Sequence, residues 1–237
     1  YGAGTQKIVD SVSQRFPRAK ILRWDRDTTR GPRAYEELLE RFRSGEAQVL
    51  VGTQMIAKGL HFPNVTLVGV VSADTGLNIP DYHAGERTYQ LLCQVAGRAG
   101  RGPSEGKVII QTFQPDNYAV RTAASQDYEA FYRQEVSYRK HQTNPPFSKL
   151  IRLVYSHVNP SICEREALRF GDILRQQREE WGYNDVDVIG PTPPYPPRLR
   201  GHFRWHLVLR GPEPRILLDR VSIPPKWVVD IDPIALT

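Results

Sequence analysis

The stretch Gln94-Val95-Ala96-Gly97-Arg98-Ala99-Gly100-Arg101 holds the side chains of this chain best suited to chemistry on a charged ligand. Its arginines stand three residues apart, which places both guanidiniums on one side of a helical turn. The glycines let backbone pack closely and remove side chains that would block a ligand. Guanidinium is permanently charged and forks onto phosphate oxygens. The pair therefore reads either as a clamp for a polyphosphate and its transition state or as a solvated basic patch. A second segment, Gly52-Thr53-Gln54-Met55-Ile56-Ala57-Lys58-Gly59-Leu60-His61-Phe62-Pro63-Asn64-Val65, follows an apolar run. There Gly52 and Thr53 can present backbone N–H and hydroxyl groups to a phosphate.

Other candidates are scattered along the chain. Thr28 and Thr29 can bond phosphate oxygens without reading sequence, or can form a turn or cap ahead of Ala34. Asp74 can orient an arginine or cap the turn that follows it. Arg198-Leu199-Arg200-Gly201-His202-Phe203-Arg204-Trp205-His206 interleaves basic and aromatic side chains, as a groove for single-stranded nucleic acid does. The same alternation describes a half-buried strand with Phe203 and Trp205 inward and Arg204 and His206 in water. Gly102-Pro103-Ser104-Glu105-Gly106-Lys107 imitates a phosphate-binding loop, but its glycines are too close and Val108 stands where Ser or Thr must hold Mg²⁺. The sequence contains no DEAD-like acidic box.

The elements that position these residues follow from periodicity. Amphipathic helices are predicted over 5–16, with Thr5 able to cap the first, and over 34–43, 85–96, 118–124 and 128–141. Strands are predicted at 20–24 and 108–113, and the continuous apolar runs at 48–51 and 65–71 read as strands covered on both faces. This α/β alternation predicts a doubly wound parallel sheet with ligands at the carboxyl ends of its strands, where both basic segments fall. Asn144-Pro145-Pro146 ends the last of these helices, because a proline pair cannot continue it, and places a domain boundary between 144 and 145. Beyond lies strand 150–155, helix 164–179, strands 186–189 and 203–209, helix 214–221 and strand 227–231. That β-α-β-β-α-β order is the split ferredoxin-like pattern of a smaller α+β domain. The run 190–197 is a stiff proline-rich connection.

Composition narrows the classes. With 237 residues, 40% hydrophobic and 24% charged, the chain sits in the globular range and can bury a sizeable core. Its 32 basic against 26 acidic residues give +6, which favours a polyanionic partner, nucleic acid first. Cys93 and Cys163 have no CxxC partner, so no zinc knuckle or disulfide framework is expected and a reducing compartment is the easier reading. No apolar run reaches about 18 residues, and no charged-then-apolar leader opens the chain. A start at Tyr1 without Met is expected of a piece cut from a longer protein.

The segments 52–65 and 94–101 resemble motifs V and VI of superfamily 2 helicases. The likeness extends from Gly2-Ala3-Gly4-Thr5-Gln6 through Asp25-Arg26-Asp27-Thr28-Thr29 and Ala73-Asp74-Thr75-Gly76-Leu77 to Trp227-Val228-Val229-Asp230-Ile231-Asp232-Pro233. Over nearly its whole length the chain resembles the C-terminal portion of the PriA family of bacterial primosomal helicases. The resemblance implies a second RecA-like helicase lobe over 1–144 and a DNA- and partner-binding domain over 145–237. It implies an ATP-dependent 3′-to-5′ DNA helicase that acts in replication-fork restart and primosome assembly. In that pattern Arg98 and Arg101 reach nucleotide phosphates across a cleft between lobes. Gln94 places the γ-phosphate or attacking water, unless it is a buried structural amide. Gly52, Thr53, Lys58, Gly59, Gly97 and Asp74 bind nucleotide or couple it to DNA, while Thr28, Thr29, Arg198, Arg200, Arg204 and Trp205 contact DNA. His61 departs from the common helicase pattern, which has Asp there, so a ribose contact is in doubt. ATP and Mg²⁺ are shared with a first lobe, whose P-loop lysine and Mg²⁺-binding acids this chain lacks. Zinc belongs to an insert that precedes Gly2 in the family, and this chain has no ligands for it. Forked or single-stranded DNA, single-stranded-DNA-binding protein and other primosome proteins are the implied partners, in the cytoplasm at the nucleoid and with no membrane. A self-standing binding module with vestigial helicase motifs, or another superfamily 2 member of the recombination type, are the alternatives.

Overall fold

The computed structural model describes residues 4–25, 32–53, 64–97 and 106–237. They form two compact units, one gathering the chain up to Leu77 with Arg87–Tyr128, the other joining Asn78–Glu86 to Glu129–Thr237.

In the first unit α1 (Thr5–Arg15) leads into β1 (Ile21–Trp24), α2 (Pro32–Arg43) into β2 (Val49–Gly52), and β3 (Leu67–Val70) into the short α3 (Asp74–Leu77). The helix α4 (Ala84–Ala96) begins in the second unit and ends in this one, followed by β4 (Lys107–Ile110) and α5 (Tyr118–Ala124). Strands joined through a helix can return parallel, and they do. β1 pairs with β2 from Ile21↔Val49 to Trp24↔Gly52, and β3 with β4 from Leu67↔Lys107 to Val70↔Ile110. The unit is thus mixed α/β with two parallel strand pairs. Trp24, wholly buried, anchors the first pair against Leu38, Leu39 and Phe42 of α2. Thr5 does not cap α1. Gly4 holds that position with extended backbone and no side-chain bond, so Thr5 is the first helical residue.

The second unit contains α6 (Tyr128–His141) from its second residue onward, β5 (Lys149–His157), α7 (Pro160–Glu180), β6 (Asp187–Thr192), β7 (Arg198–Leu199), β8 (His202–Gly211), α8 (Arg215–Leu218) and β9 (Val228–Ile231). By packing, α6 goes with this unit, whereas the domain boundary expected from sequence stands at the proline pair after it. The helix α7 starts earlier than its apolar periodicity suggests, because Asn159 accepts hydrogen bonds from the N–H groups of Ser161 (2.9 Å) and Ile162 (3.2 Å) and Pro160 suits the first turn. The sheet runs in the order β6-β8-β5-β9, antiparallel throughout, with β7 hairpinned on β8. One face carries the core. Ile151, Leu153, Leu207 and Leu209 meet Ala167, Phe170 and Leu174 of α7, and Leu217 and Trp227 close the cluster. The long β8 extends to the exposed hairpin, so the core face and the basic tip share one rigid strand.

Candidate functional site

In the first unit the expected phosphate-binding residues lie at strand and helix ends. Gly52 closes β2 opposite Trp24 and is exposed, as is Thr53 immediately after it. Gln94 is exposed in the last turn of α4, which removes the buried-amide reading. Gly97 follows that helix, its N–H donating to the Cys93 carbonyl at 2.9 Å. Arg98, Arg101, Lys58, Gly59, His61, Thr28 and Thr29 lie outside the described residues. Asp74 is buried at the start of α3 and binds the end of β4. Its carboxylate accepts from the Thr112 hydroxyl (2.9 Å) and the Phe113 N–H (3.1 Å). Burial acts to raise the Asp74 pKa, but these hydrogen bonds outweigh it and hold the carboxyl below its ordinary value. Its ionised form thereby fastens the carboxyl ends of β3 and β4 together.

In the second unit the basic segment becomes a hairpin. Arg198 pairs with Phe203 and Leu199 with His202, leaving Arg200-Gly201 as the two-residue turn. Both turn residues have positive φ, 50° and 86°, as the tight turns that match strand twist require. Arg198, Arg200 and His202 are exposed, and the Arg198 guanidinium lies 5.1 Å from the Phe203 ring centroid. Arg204 ties the proline-rich run to β8. Its N–H donates to the Pro197 carbonyl at 2.9 Å and its guanidinium to the Pro196 carbonyl at 2.5 Å. Trp205, expected at the DNA surface, is half-buried with its ring against the core, because alternation along β8 puts it on the face of Leu207.

The opposite face of this sheet holds a cluster that the linear sequence does not reveal. Arg204 and His206 stand across from Ser156 and Val154 of β5, and Arg152 lies farther along β5 on the same face. Arg152 donates to Asp230 of β9 (3.0 Å) and to the Thr237 main-chain oxygen (3.0 Å), and a ring nitrogen of His206 meets the Thr192 hydroxyl at 3.1 Å. Arg152 Nε, Arg204 Nε and His206 Nδ1 are shielded from solvent and have no hydrogen-bond partner among the described residues. Burial, then Arg152 and Arg204, push the His206 imidazole down to about 4, so it is neutral at pH 7. Burial and the neighbouring Arg152 also lower the Arg204 pKa. Arg152 comes from a strand that reads as plain core, and only register pairing brings it here. On this face Asp230 is the carboxylate bonded to Arg152.

Comparison with known proteins places these features in a family. The model of the helicase conserved C-terminal domain matches residues 5–103, and that of the primosomal protein N C-terminal domain matches residues 140–234. The chain is 41% identical over 210 residues to replication restart protein PriA of Bacillus subtilis (strain 168), a match over 89% of this chain and 26% of that protein. It is 39% identical over 243 residues to PriA of Synechocystis sp. (strain ATCC 27184 / PCC 6803 / Kazusa), covering 100% of this chain and 29% of the relative. It is 37% identical to PriA of Chlamydia pneumoniae, covering 98% and 32%. The chain thus spans about a third of the length of these relatives or less. Helicase and primosomal domains succeeding each other in one chain, with relatives alike across both, show that it belongs to the PriA replication restart family, as a C-terminal portion.

Proposed function

We propose that this chain is part of an ATP-dependent 3′-to-5′ DNA helicase that acts in replication-fork restart and primosome assembly, and that it supplies half of the nucleotide site and a DNA-binding surface. The observation that carries the proposal is the succession of a helicase domain over 5–103 and a primosomal domain over 140–234 in a single chain. Gly52 and Thr53 suit a nucleotide site, because both are exposed at the carboxyl end of β2, where α/β sheets bind ligands, and Gln94 is exposed in the last turn of α4. Bound ATP with Mg²⁺ supplies the phosphoryl group whose transfer drives unwinding. Arg98 and Arg101 neutralise charge that develops on that group, with Lys58, Gly59 and Gly97 binding the nucleotide or coupling it to DNA. Asp74 holds the residues that follow β4 through Thr112 and Phe113. DNA is taken by Thr28 and Thr29 and, on the second unit, by Arg198, Arg200 and Arg204. The order β6-β8-β5-β9 with its two crossovers supports a split ferredoxin-like reading of that unit. Single-stranded-DNA-binding protein and other primosome proteins are its further partners, in the cytoplasm.

The sequence has no P-loop and no acidic Mg²⁺ box, so the purified chain is expected to show no DNA-stimulated ATPase activity. Arg101→Ala in the full-length helicase is expected to lower ATPase turnover by about 10³-fold or more. Unwinding assays on forked DNA check this: an unchanged rate would reduce the motif to a vestige and leave a binding module in place of an enzyme.

A further inference from the structure

Between β6 and β7 the chain leaves β8 and returns to it. Thr192, the last residue of β6, pairs with His206, and Arg198, the first of β7, pairs with Phe203. Residues 193–197 therefore stand opposite only Arg204 and Trp205, and a run of that length must bow away from the ladder. The bow is stiff. Pro193 and Pro194 precede Tyr195, Pro196 and Pro197 follow it, and each proline ring fixes its own φ. Pro194 is buried, which pins the run before Tyr195. Arg204 pins it after, its N–H donating to the Pro197 carbonyl at 2.9 Å and its guanidinium to the Pro196 carbonyl at 2.5 Å.

Held on both sides, Tyr195 is nevertheless 56% exposed. One aromatic ring in water is ordinary on a protein surface. What sets Tyr195 apart is its bracing and its company. The same run leads directly into the hairpin on which Arg198, Arg200 and His202 are exposed. A ring on a stiff loop loses little freedom when a flat ligand settles on it. Guanidiniums take phosphate, and an aromatic face takes a base that is not already stacked in a duplex. Trp205, the aromatic residue that the sequence offers for that task, packs against the core instead. Tyr195 is in water where Trp205 is not.

We propose that Tyr195 is the stacking platform of the hairpin and takes the face of an unpaired base in a strand whose phosphates Arg198 and Arg200 hold. The proposal rests on the DNA-binding reading of those arginines given above. It narrows their ligand to a single strand or the single-stranded arm of a fork, with no preference among bases, because every base has a π-face.

Fluorescence anisotropy on the 237-residue chain tests it, with oligothymidylate, an abasic strand of the same phosphate count and a blunt duplex as ligands. The wild type is expected to bind oligothymidylate about tenfold or more tighter than the abasic strand. Tyr195→Ala is expected to remove about tenfold of that preference, and to lower the preference for oligothymidylate over duplex by the same factor. The slope of log affinity against log salt is expected to stay at its wild-type value, because no charge is removed. Tyr195→Phe keeps the ring and is expected to match the wild type, whereas Tyr195→Leu keeps apolar bulk without a π-face and is expected to behave as Tyr195→Ala. A wild type that binds both single strands equally overturns the proposal. So does Tyr195→Ala with an undiminished preference, which leaves the exposed ring to a protein partner, or with an equal loss toward both strands, which marks a change in the loop and not a lost base contact. A wild type with no affinity for oligothymidylate or duplex overturns the DNA-binding reading and this proposal with it, a result visible before any variant is compared.

Discussion

His206 shows what a single position can acquire from its neighbours. Burial, Arg152 of β5 and Arg204 on its own strand keep its imidazole neutral, with a pKa of about 4 against 6.5 for the free side chain. Between those two values the unfolded chain binds a proton that the folded chain refuses, so stability falls as pH drops from about 6.5 to about 4 and is unaffected above. The loss amounts to at most on the order of 3 kcal/mol, taking about 1.4 kcal/mol for each pH unit between the two pKa values. Urea unfolding of the wild type at a series of pH values is expected to show that loss, and His206→Gln to flatten it. Equal slopes in the two proteins would mean that the imidazole titrates normally. None of this is legible from the local sequence, where His206 is one more polar residue of an alternating strand; its partner Arg152 lies on β5, and only the pairing of Val154 with His206 brings the two strands side by side. Asp74 was open to two readings in the sequence, and its bonds to Thr112 and Phe113 depend on β4 returning beside β3, which no spacing within 73–77 encodes.

Elements divide by whether their cause is local. The helices α4, α5 and α6 and the strand β8 lie close to where apolar periodicity puts them, because each carries its own pattern over two turns or several pleats. The four-residue α3 and the two-residue β7 are too short to carry a period; the first begins at buried Asp74, the second exists because Arg200-Gly201 can turn. The attachment of Asn78–Glu86 to the second unit is equally invisible, since its partners Arg139, Pro233 and Leu236 are remote in sequence. The proline-rich run, read as a stiff connection, in fact begins inside β6, where the register on β8 shifts between Ile189 and Thr192. Gly190 occupies that irregularity with φ of 92°, and a Cβ there would stand 2.9 Å from the His206 carbonyl. Backbone on both sides leaves nothing flexible to yield. Gly190→Ala is therefore expected to cost roughly 2 kcal/mol or more through strain and overlap combined, read as a lower urea midpoint. Gly45→Ala, with positive φ but open space around it, is expected to cost less. Equal losses would show that overlap with β8 contributes nothing.

For the whole molecule the proposed DNA binding has two possible sources, general charge or a placed surface. A formal charge of +6 and a sequence pI near 9.4 attract any polyanion, and such attraction spreads over the surface. The hairpin makes a narrower claim, because Arg198 on β7 and Arg200 in the turn belong to a hairpin fixed to the sheet, while Arg204 is bonded to the proline run. Each phosphate neutralised on a single strand contributes about −0.7 to the slope of log affinity against log salt. Three engaged arginines therefore give a slope of about −2, and replacing Arg198 and Arg200 by Ala is expected to reduce its magnitude by about 1.4. Exposed cations of the first unit serve as the control, since Arg15→Ala with Arg18→Ala removes the same charge from the molecule. If both double variants lower the slope equally when oligothymidylate binding is titrated by fluorescence anisotropy from low to moderate salt, net charge governs and the hairpin has no special part. A fall confined to the hairpin variant assigns the grip to the second unit.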